Sequence, residues 1–420
     1  MTAHYCLDLL PRVWLRDIPQ LVASRALGIA SLTRNFTCGQ RGLVARRLDG
    51  LPPETRGGRF APRTDLLLVR LEAPVAPGAA REMIARFGPL PTQLVVALAL
   101  GVDQAAGQWA GVVWDGGHLV PLPQISLVGP GMRKISAEEP LPDLNPADAE
   151  LWSRTRGALG EATHRTVRES SVAIVGLGRN GSACALTLAM LGVRHLVFID
   201  HDLDELGNLD ATVGATLDGV GRPKVDNRLR ALGGVRPGRL SLTPIAHSVL
   251  DGGVLEHLRA VDLIVTAVDQ DAARLAVARW INGPPYLGKV HLDIGTGVFR
   301  QDARREMGAD VRLLLPGEAC VGCLGGLRNP DEARYLAGAP PGALPRHPRP
   351  AWHEGRAGSL ITINQVAVNL GIQLWLDLVS GRVEGSRWYQ LRWAEDGTPT
   401  IEVGTRTAAR CEICRNAEDA

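Results

Sequence analysis

Two sets of residues in this 420-residue chain have the types and spacing to do chemistry. The first begins with GLGRNGS, which places Gly176, Gly178 and Gly181 at G-x-G-x-x-G spacing directly after the apolar run SVAIV. At a strand-to-helix turn the first glycine permits the tight bend and the second lets backbone approach phosphate oxygens. The third lets helix and strand pack closely, and the helix N-terminus offers free N–H groups to anions. Asp200 follows about 20 residues later, at the end of HLVFID, where a carboxylate can hold ribose hydroxyls. Alone, this pattern fits an NAD(P)-dependent oxidoreductase equally well, or a glycine turn with no ligand.

Three residues further on are not needed for a dinucleotide. Asn208 follows the DHD sequence of Asp200 and Asp202, Lys224 opens a helix in GRPK, and Asp269 ends the apolar run VDLIVTAVD. An ammonium at Lys224 can reach a nucleotide phosphate, and a carboxylate at Asp269 facing a triphosphate is a natural magnesium ligand. Each has a plainer reading: a turn residue, a solvated helix-end cation and a helix N-cap respectively. The second set consists of two C-x-x-C pairs, Cys320 with Cys323 in EACVGC and Cys411 with Cys414 in RCEICRN. Four thiolates in two such pairs are the tetrahedral set preferred by structural Zn²⁺, and no catalysis is assigned to it. A redox C-x-x-C is the alternative, but nothing around these pairs suggests a thioredoxin-like setting.

These residues require elements to hold them. Strand candidates SVAIVGL, HLVFID, LSLTPIA, VDLIVTAVD and PYLGKVHLDIG alternate with helix candidates ending at Gly192, at PKVDNRLRAL and at AARLAVARWIN. That alternation predicts an α/β fold with a Rossmann-like, doubly wound, mostly parallel sheet over residues 151–420. Residues 324–358, rich in Pro, Gly and Arg, read as a long crossing loop, followed by a long amphipathic helix in LITINQVAVNLGIQLWLDLVSG and short strands. Residues 136–150 read as a linker, and residues 1–135 as a smaller α+β accessory domain. In that domain a strand (Leu66–Glu72), a helix (Gly78–Phe87) and two short strands around GVVWDGGHLVPL are expected after an Arg-rich, loop-like start.

With these elements in order, the chain from Leu151 to Cys414 resembles the ThiF/MoeB adenylyltransferases, relatives of ubiquitin-activating enzymes. The runs SRTRGALG, VAIVGLGRNGS, LVFIDHD, NLD, GRPKV and AVDQDAAR and the two cysteine pairs carry the resemblance. It implies a homodimer that binds ATP and Mg²⁺, with Zn²⁺ held by Cys320, Cys323, Cys411 and Cys414. It also implies attack on the α-phosphate by the C-terminal carboxylate of a ubiquitin-like protein or peptide. By the same resemblance Asp200 holds ribose, Asn208 and Lys224 contact phosphates, Asp269 binds magnesium, and Arg154 in WSRTR reaches the partner protomer's triphosphate. Such chemistry depends on positioning and charge neutralisation more than on a nucleophile.

The sequence departs from the family in two places. The usual Asn-Leu-x-Arg ends here in Ala211, so one phosphate-facing charge is missing; Arg179 or Arg222 could replace it, and a nucleotide-binding pseudoenzyme stands as an alternative. The stretch RPAWHEGRAGSLITINQ, where many relatives carry a thioester-forming cysteine, has none; His353, Glu354 and Ser359 occupy it. Cys6, Cys38 and Cys184 are the remaining thiols, expected as ordinary buried residues. Adenylation without a thioester on the enzyme follows.

Some bacterial members of the family carry an N-terminal JAB/MPN metalloprotease domain. Residues 1–135 offer only His4 and His118 and no His-x-His, so a degenerate JAB/MPN-like or substrate-docking module is expected there. A net charge of +2 gives no field for nucleic acid or an anionic membrane. The longest apolar run, LVVALALGV, is about half of the ~20 residues needed to span a bilayer. The N-terminal sequence lacks the sections of a signal peptide, and the odd number of cysteines, 7, argues against a disulfide framework. A cytoplasmic location is expected.

Overall fold

The computed structural model describes the chain except residues 1–3, 25–26, 38–39, 52–59, 62–63, 73–74, 77, 102–107, 137–145, 236–239, 283–287, 302–303, 328–357, 395, 405–410, 412 and 414–420. Cys38, Cys414, His353, Glu354 and most of the expected crossing loop therefore lie outside the described residues. Two compact units are present: Met1–Asn145 with Pro285–Gly288, and Pro146–Pro284 with Lys289–Ala420.

The first unit contains strands β1 (His4–Leu9), β2 (Leu27–Thr37), β3 (Gln40–Ala45), β4 (Asp49–Leu51), β5 (Leu66–Glu72) and β6 (Val95–Gly101), followed by β7 (Trp109–Asp115), β8 (His118–Pro121), β9 (Gln124–Leu127) and β10 (Arg133–Ser136). Its helices are α1 (Ile18–Ser24) and α2 (Ala79–Phe87). The sheet runs β10-β9-β1-β3-β2-β5-β6-β7-β8, with β4 against β2. The run that was too short for a membrane is β6. It is apolar throughout because both its faces are covered: Val96, Leu98 and Leu100 join one core, and Val95, Ala97 and Ala99 join the other. The Arg-rich, loop-like stretch RRLDGLPPETRGGRFAPRT carries the short strand β4 at its start, and β1 to β3 lie in the chain before it, for which no element was expected. In β1 every residue from Tyr5 to Leu9 except Cys6 is buried, so the alternation that marks a one-sided strand is missing.

The second unit opens with α3 (Pro146–Leu151), α4 (Ser153–Leu159) and α5 (Glu161–Glu169), so the stretch read as a linker ends in helix. Then come β11 (Ser171–Val175), α6 (Arg179–Leu191), β12 (His195–Ile199), α7 (Lys224–Gly233), β13 (Ser241–Ile245), β14 (Leu263–Thr266), α8 (Asp271–Asn282), β15 (Val290–Gln301) and β16 (Arg304–Leu314). Helix α9 (Ile361–Val379) and strands β17 (Arg387–Trp393) and β18 (Pro399–Val403) follow. The sheet order is β13-β12-β11-β14-β15-β16-β17-β18. Strands β13 to β15 in this order are parallel, and β16 to β18 extend the sheet antiparallel. This is the expected doubly wound α/β fold.

The chain winds outward from β11 in both directions, through β12 to β13 and through β14 to β15. The C-terminal ends of β11 and β14 therefore flank a switch point, the place where such sheets leave a crevice. Helix α9 buries Trp375 completely, and a Cβ at Gly371 would stand 3.1 Å from Ile294 Cδ1, so this helix lies close against the sheet. No described helix is long and apolar enough to cross a membrane.

Candidate active site

The glycine turn joins β11 to α6, and its three glycines do three different things. Gly176 has φ +89°, a region costly for other residues, and a Cβ there would also meet the Ala267 carbonyl oxygen at 2.8 Å. A Cβ at Gly181 would sit 1.8 Å from the Gly176 carbonyl oxygen, so helix and turn touch backbone to backbone. Around Gly178 nothing lies within 4 Å of a Cβ position, so this glycine keeps open space above the helix N-terminus.

That space belongs to a cleft at the switch point. Gly176, Gly178, Asp200, Asn208, Lys224 and Asp269 all line it, which brings together six residues spread over 94 positions of sequence. Gly181 lies behind the lining, as its packing role requires. Arg154 is exposed on α4 and is not part of the lining.

The side chains have distinct settings. Asp200 is buried; its Oδ2 accepts the Leu177 N–H at 2.6 Å and its Oδ1 accepts the Asp202 N–H at 2.8 Å. The carboxylate thereby fixes the glycine turn, and each oxygen keeps a free lone pair for a hydroxyl donor. Lys224 is 7% exposed and its Nζ lies 2.8 Å from Asp202 Oδ2, so it is a delivered charge and not a solvated helix-end cation. Asn208 Oδ1 accepts the Glu205 N–H at 2.9 Å, which is the turn role; its side-chain N–H groups face no acceptor among the described residues. Asp269 is exposed to the cleft and has no hydrogen bond or ion pair among the described residues, so it does not cap α8. An unpaired carboxylate beside a bed of N–H groups and a lysine fits a hydrated divalent cation bridging to phosphate.

Sequence reasoning missed a polar cluster on the opposite wall. Asn364, in the first turn of α9, is 2% exposed; its Nδ2 donates to Asn180 Oδ1 and to Thr296 Oγ1, both at 2.7 Å. Ser359 Oγ donates to Asn364 Oδ1 at 2.9 Å. Arg179, between Gly178 and Asn180, donates to the Ser359 carbonyl at 3.3 Å and to Asp210 Oδ1 at 2.9 Å. The glycine turn is thus tied to the start of α9. Of the two arginines weighed against the missing charge at Ala211, Arg179 lines the cleft while Arg222 is exposed outside it. The only sequence signal for this cluster was polar residues interrupting an apolar helix.

A second buried set lies beneath the cleft. Asp293 Oδ1 accepts from Thr266 Oγ1 at 2.7 Å, and Asp293 Oδ2 accepts from Arg312 at 3.0 Å. Burial pushes the Asp293 carboxyl up, but the Arg274 and Arg312 guanidinium groups outweigh it and hold it below the usual range. His291 Nε2 is 2.8 Å from Thr266 Oγ1, and burial pushes its pKa down to about 4, so the ring is neutral.

The cysteine cluster is elsewhere, packed against Trp388 of β17. The Sγ atoms of Cys320, Cys323 and Cys411 lie within 4.8 Å of one another, with Cys320 at 3.8 Å from Cys323 and 3.5 Å from Cys411. A tetrahedron with metal–sulfur bonds of about 2.3 Å has sulfur–sulfur edges of about 3.8 Å, so these three sulfurs fit one zinc ion. Among the other thiols, Cys184 is wholly buried and its pKa is pushed up to about 12 by burial, which leaves it an inert core residue.

Residues 152–327 match the ThiF family. Among curated proteins, the molybdopterin-synthase adenylyltransferase of Escherichia coli (strain K12) is 33% identical over 159 residues, 38% of this chain and 59% of that one. Ubiquitin-like modifier-activating enzyme 5 of Oryza sativa subsp. japonica is 30% identical over 173 residues, 38% of this chain and 39% of that one. The chain thus spans less than two-thirds of the length of these relatives. Among solved structures, E. coli MccB with succinimide is 18% identical at a TM-score of 0.46, covering 63% of this chain and 74% of that one.

Proposed function

We propose that this protein, whose residues 152–327 match the ThiF family, adenylates the C-terminal carboxylate of a ubiquitin-like protein or peptide. The observation that carries the reading is the convergence of Gly178, Asp200, Asn208, Lys224 and Asp269 on one cleft, with Asp269 unpaired among the described residues.

In this reading ATP lies across the switch point. Asp200 accepts from the ribose hydroxyls, and the open turn at Gly178 and the N-terminus of α6 receive phosphate oxygens. Lys224 and the free side-chain N–H groups of Asn208 face the triphosphate, and Asp269 would hold magnesium. When bound, that ion neutralises charge on the phosphates. A substrate carboxylate oxygen attacks the α-phosphorus. One P–O bond forms, the bond from the α-phosphorus to the α–β bridging oxygen breaks, and pyrophosphate leaves with its electron pair; no proton changes hands. Catalysis comes from alignment and from cations placed where charge collects. Arg179 supplies the charge that Ala211 does not, and exposed Arg154 serves the cleft of a second protomer in a homodimer. Zinc on Cys320, Cys323, Cys411 and Cys414 closes the C-terminal part of the domain.

The product is released or passed to an acceptor as the adenylate, without a thioester on the enzyme. The inert thiol of Cys184 supports this, and Cys6 belongs to the other compact unit. The first unit is a degenerate JAB/MPN-like or substrate-docking module, and the protein acts in the cytoplasm.

Exchange of labelled pyrophosphate into ATP, driven by peptides with a free C-terminal carboxylate, tests the reaction. Carboxylate-dependent exchange that C-terminal amides do not support is expected. Mg-ATP binding with no exchange for any carboxylate would instead favour the pseudoenzyme reading that Ala211 raises.

A further inference from the structure

The cleft continues into a second groove. Arg274, Gly295 and Thr296 line both, and the groove then runs over β16 and β17 past Gly308 and Arg392. At the junction stands a guanidinium with an unbonded donor: Arg274 is 6% exposed, and its buried Nε has no hydrogen-bond partner among the described residues. Its Nε lies 3.0 Å from Asp293 Oδ1 but is not aligned to donate, and its Nη1 is 3.7 Å from Asp271 Oδ1. A Cβ at position 295 would stand 3.2 Å from Arg274 Nη2, so the guanidinium rests on the bare Gly295 backbone. A buried cation that holds charge partners but no hydrogen-bond partner is costly unless something else accepts its N–H groups.

The neighbouring arginine is the opposite case. Arg312 donates from Nε to the Leu324 carbonyl at 2.7 Å, from Nη2 to the Gly325 carbonyl at 3.1 Å, and from Nη1 to Asp293 Oδ2 at 3.0 Å. Leu324 and Gly325 directly follow Cys323. A continuous line of contacts therefore runs from the cysteine knuckle through Arg312 and Asp293 to Arg274. Arg312 consumes one side of the Asp293 carboxylate and leaves Arg274 paired in charge but with its Nε unbonded among the described residues.

We propose that Arg274 is the residue that receives the acyl end of the substrate where the groove meets the nucleotide cleft, and that the cysteine knuckle holds it in place through Arg312 and Asp293. This rests on the adenylation reading. A planar fork matches a carboxylate in the ground state and the acyl oxygen once the adenylate has formed, which a lysine's point charge would do less well. A Cβ at position 295 would press on the fork, so glycine there leaves it room.

The test uses two probes on the full-length protein by titration calorimetry: AMP, and glycylglycyl-sulfamoyladenosine, which carries a two-residue acyl group on an AMP-like head. The wild type binds the acyl probe more tightly than AMP. Arg274→Gln reduces that preference by about tenfold or more, the scale of a hydrogen bond to a charged group, and leaves AMP affinity unchanged. Arg274→Lys retains part of the preference, and Gly295→Ala loses it in the same sense while keeping the thermal midpoint near that of the wild type; Arg312→Lys, which also strips carbonyl and carboxylate bonds, loses it with a lowered midpoint. A preference that survives Arg274→Gln would overturn the inference and leave the adenylation reading standing. An equal loss for both probes would show a structural role and overturn it as well. A wild type that binds neither probe would sink the adenylation reading and this inference together.

Discussion

Lys224 Nζ lies 2.8 Å from Asp202 Oδ2, and the Lys224 main-chain N–H is bonded to the Asp202 carbonyl at 3.0 Å. Two contacts between the same pair lock the start of α7 to the loop after β12. The ammonium is thereby held, nearly out of solvent, on the rim of the cleft that Asp200 floors. Arriving phosphate oxygens share a cation already in place, so little side-chain entropy is lost on binding. Lys224→Ala removes the charge and the ion pair with Asp202. Mg-ATP affinity should fall by about tenfold to a hundredfold, on the scale of a lost charge-assisted hydrogen bond. Calorimetry with Mg-ATP is the check; an affinity within twofold of the wild type would misplace the phosphates.

Glycines 178 and 181 separate binding from folding. Gly181→Ala drives a Cβ into the Gly176 carbonyl oxygen, a backbone clash that no rotamer relieves. It should cost on the order of 3 kcal/mol or more of stability. Gly178→Ala meets nothing within 4 Å and should leave the thermal midpoint within about 2 °C while weakening ATP. Equal effects of the two substitutions on denaturation would contradict the division of roles.

Two buried histidines make the fold acid-sensitive. Burial, with Arg168 adding to it, pushes His164 down to about 4, and burial does the same to His291. Both rings are neutral in the fold but take a proton near pH 6.5 when unfolded. The unfolded state binds more protons between pH 6.5 and about 4, so the stabilisation is full above that window and lost as pH falls through it. Each ring accounts for at most about 3 kcal/mol. Urea midpoints at pH 7.5 and 4.5 should differ, and less so in a His164→Gln, His291→Gln protein. A double variant with the wild-type slope would exclude these residues as the cause.

One zinc ion per chain should survive chelator washing. Cys411→Ser should lower metal content and the thermal midpoint together, since a structural metal contributes its binding energy to folding. Elemental analysis reads the first and scanning calorimetry the second. A metal-free wild type that melts normally would rule the site out.

The second compact unit was readable because its strands alternate with helices and its candidate ligand residues sit at strand ends, where spacing along the chain is spacing around the crevice. Gly176, Asp200 and Asp269 are legible for that reason. Arg274 and Asn364 were not: one lies mid-helix in α8 and the other in the first turn of the mostly apolar α9, and only tertiary contacts with Asp293 and Thr296 give them meaning. Strand β1 was missed because burial on both faces erases the period of two, and β6 was read only as an apolar run for the same reason. Whether Asn208 was a turn residue or a ligand was a false choice, since its oxygen does the first and its N–H groups are free for the second.

The most direct measurement is titration of the wild-type protein and Asp269→Ala with ATP, with and without magnesium, and with NAD. The account predicts magnesium-dependent ATP binding in the wild type, loss of that dependence in Asp269→Ala, and no tight NAD binding. Micromolar NAD affinity without ATP binding, or magnesium dependence unchanged by Asp269→Ala, would contradict it.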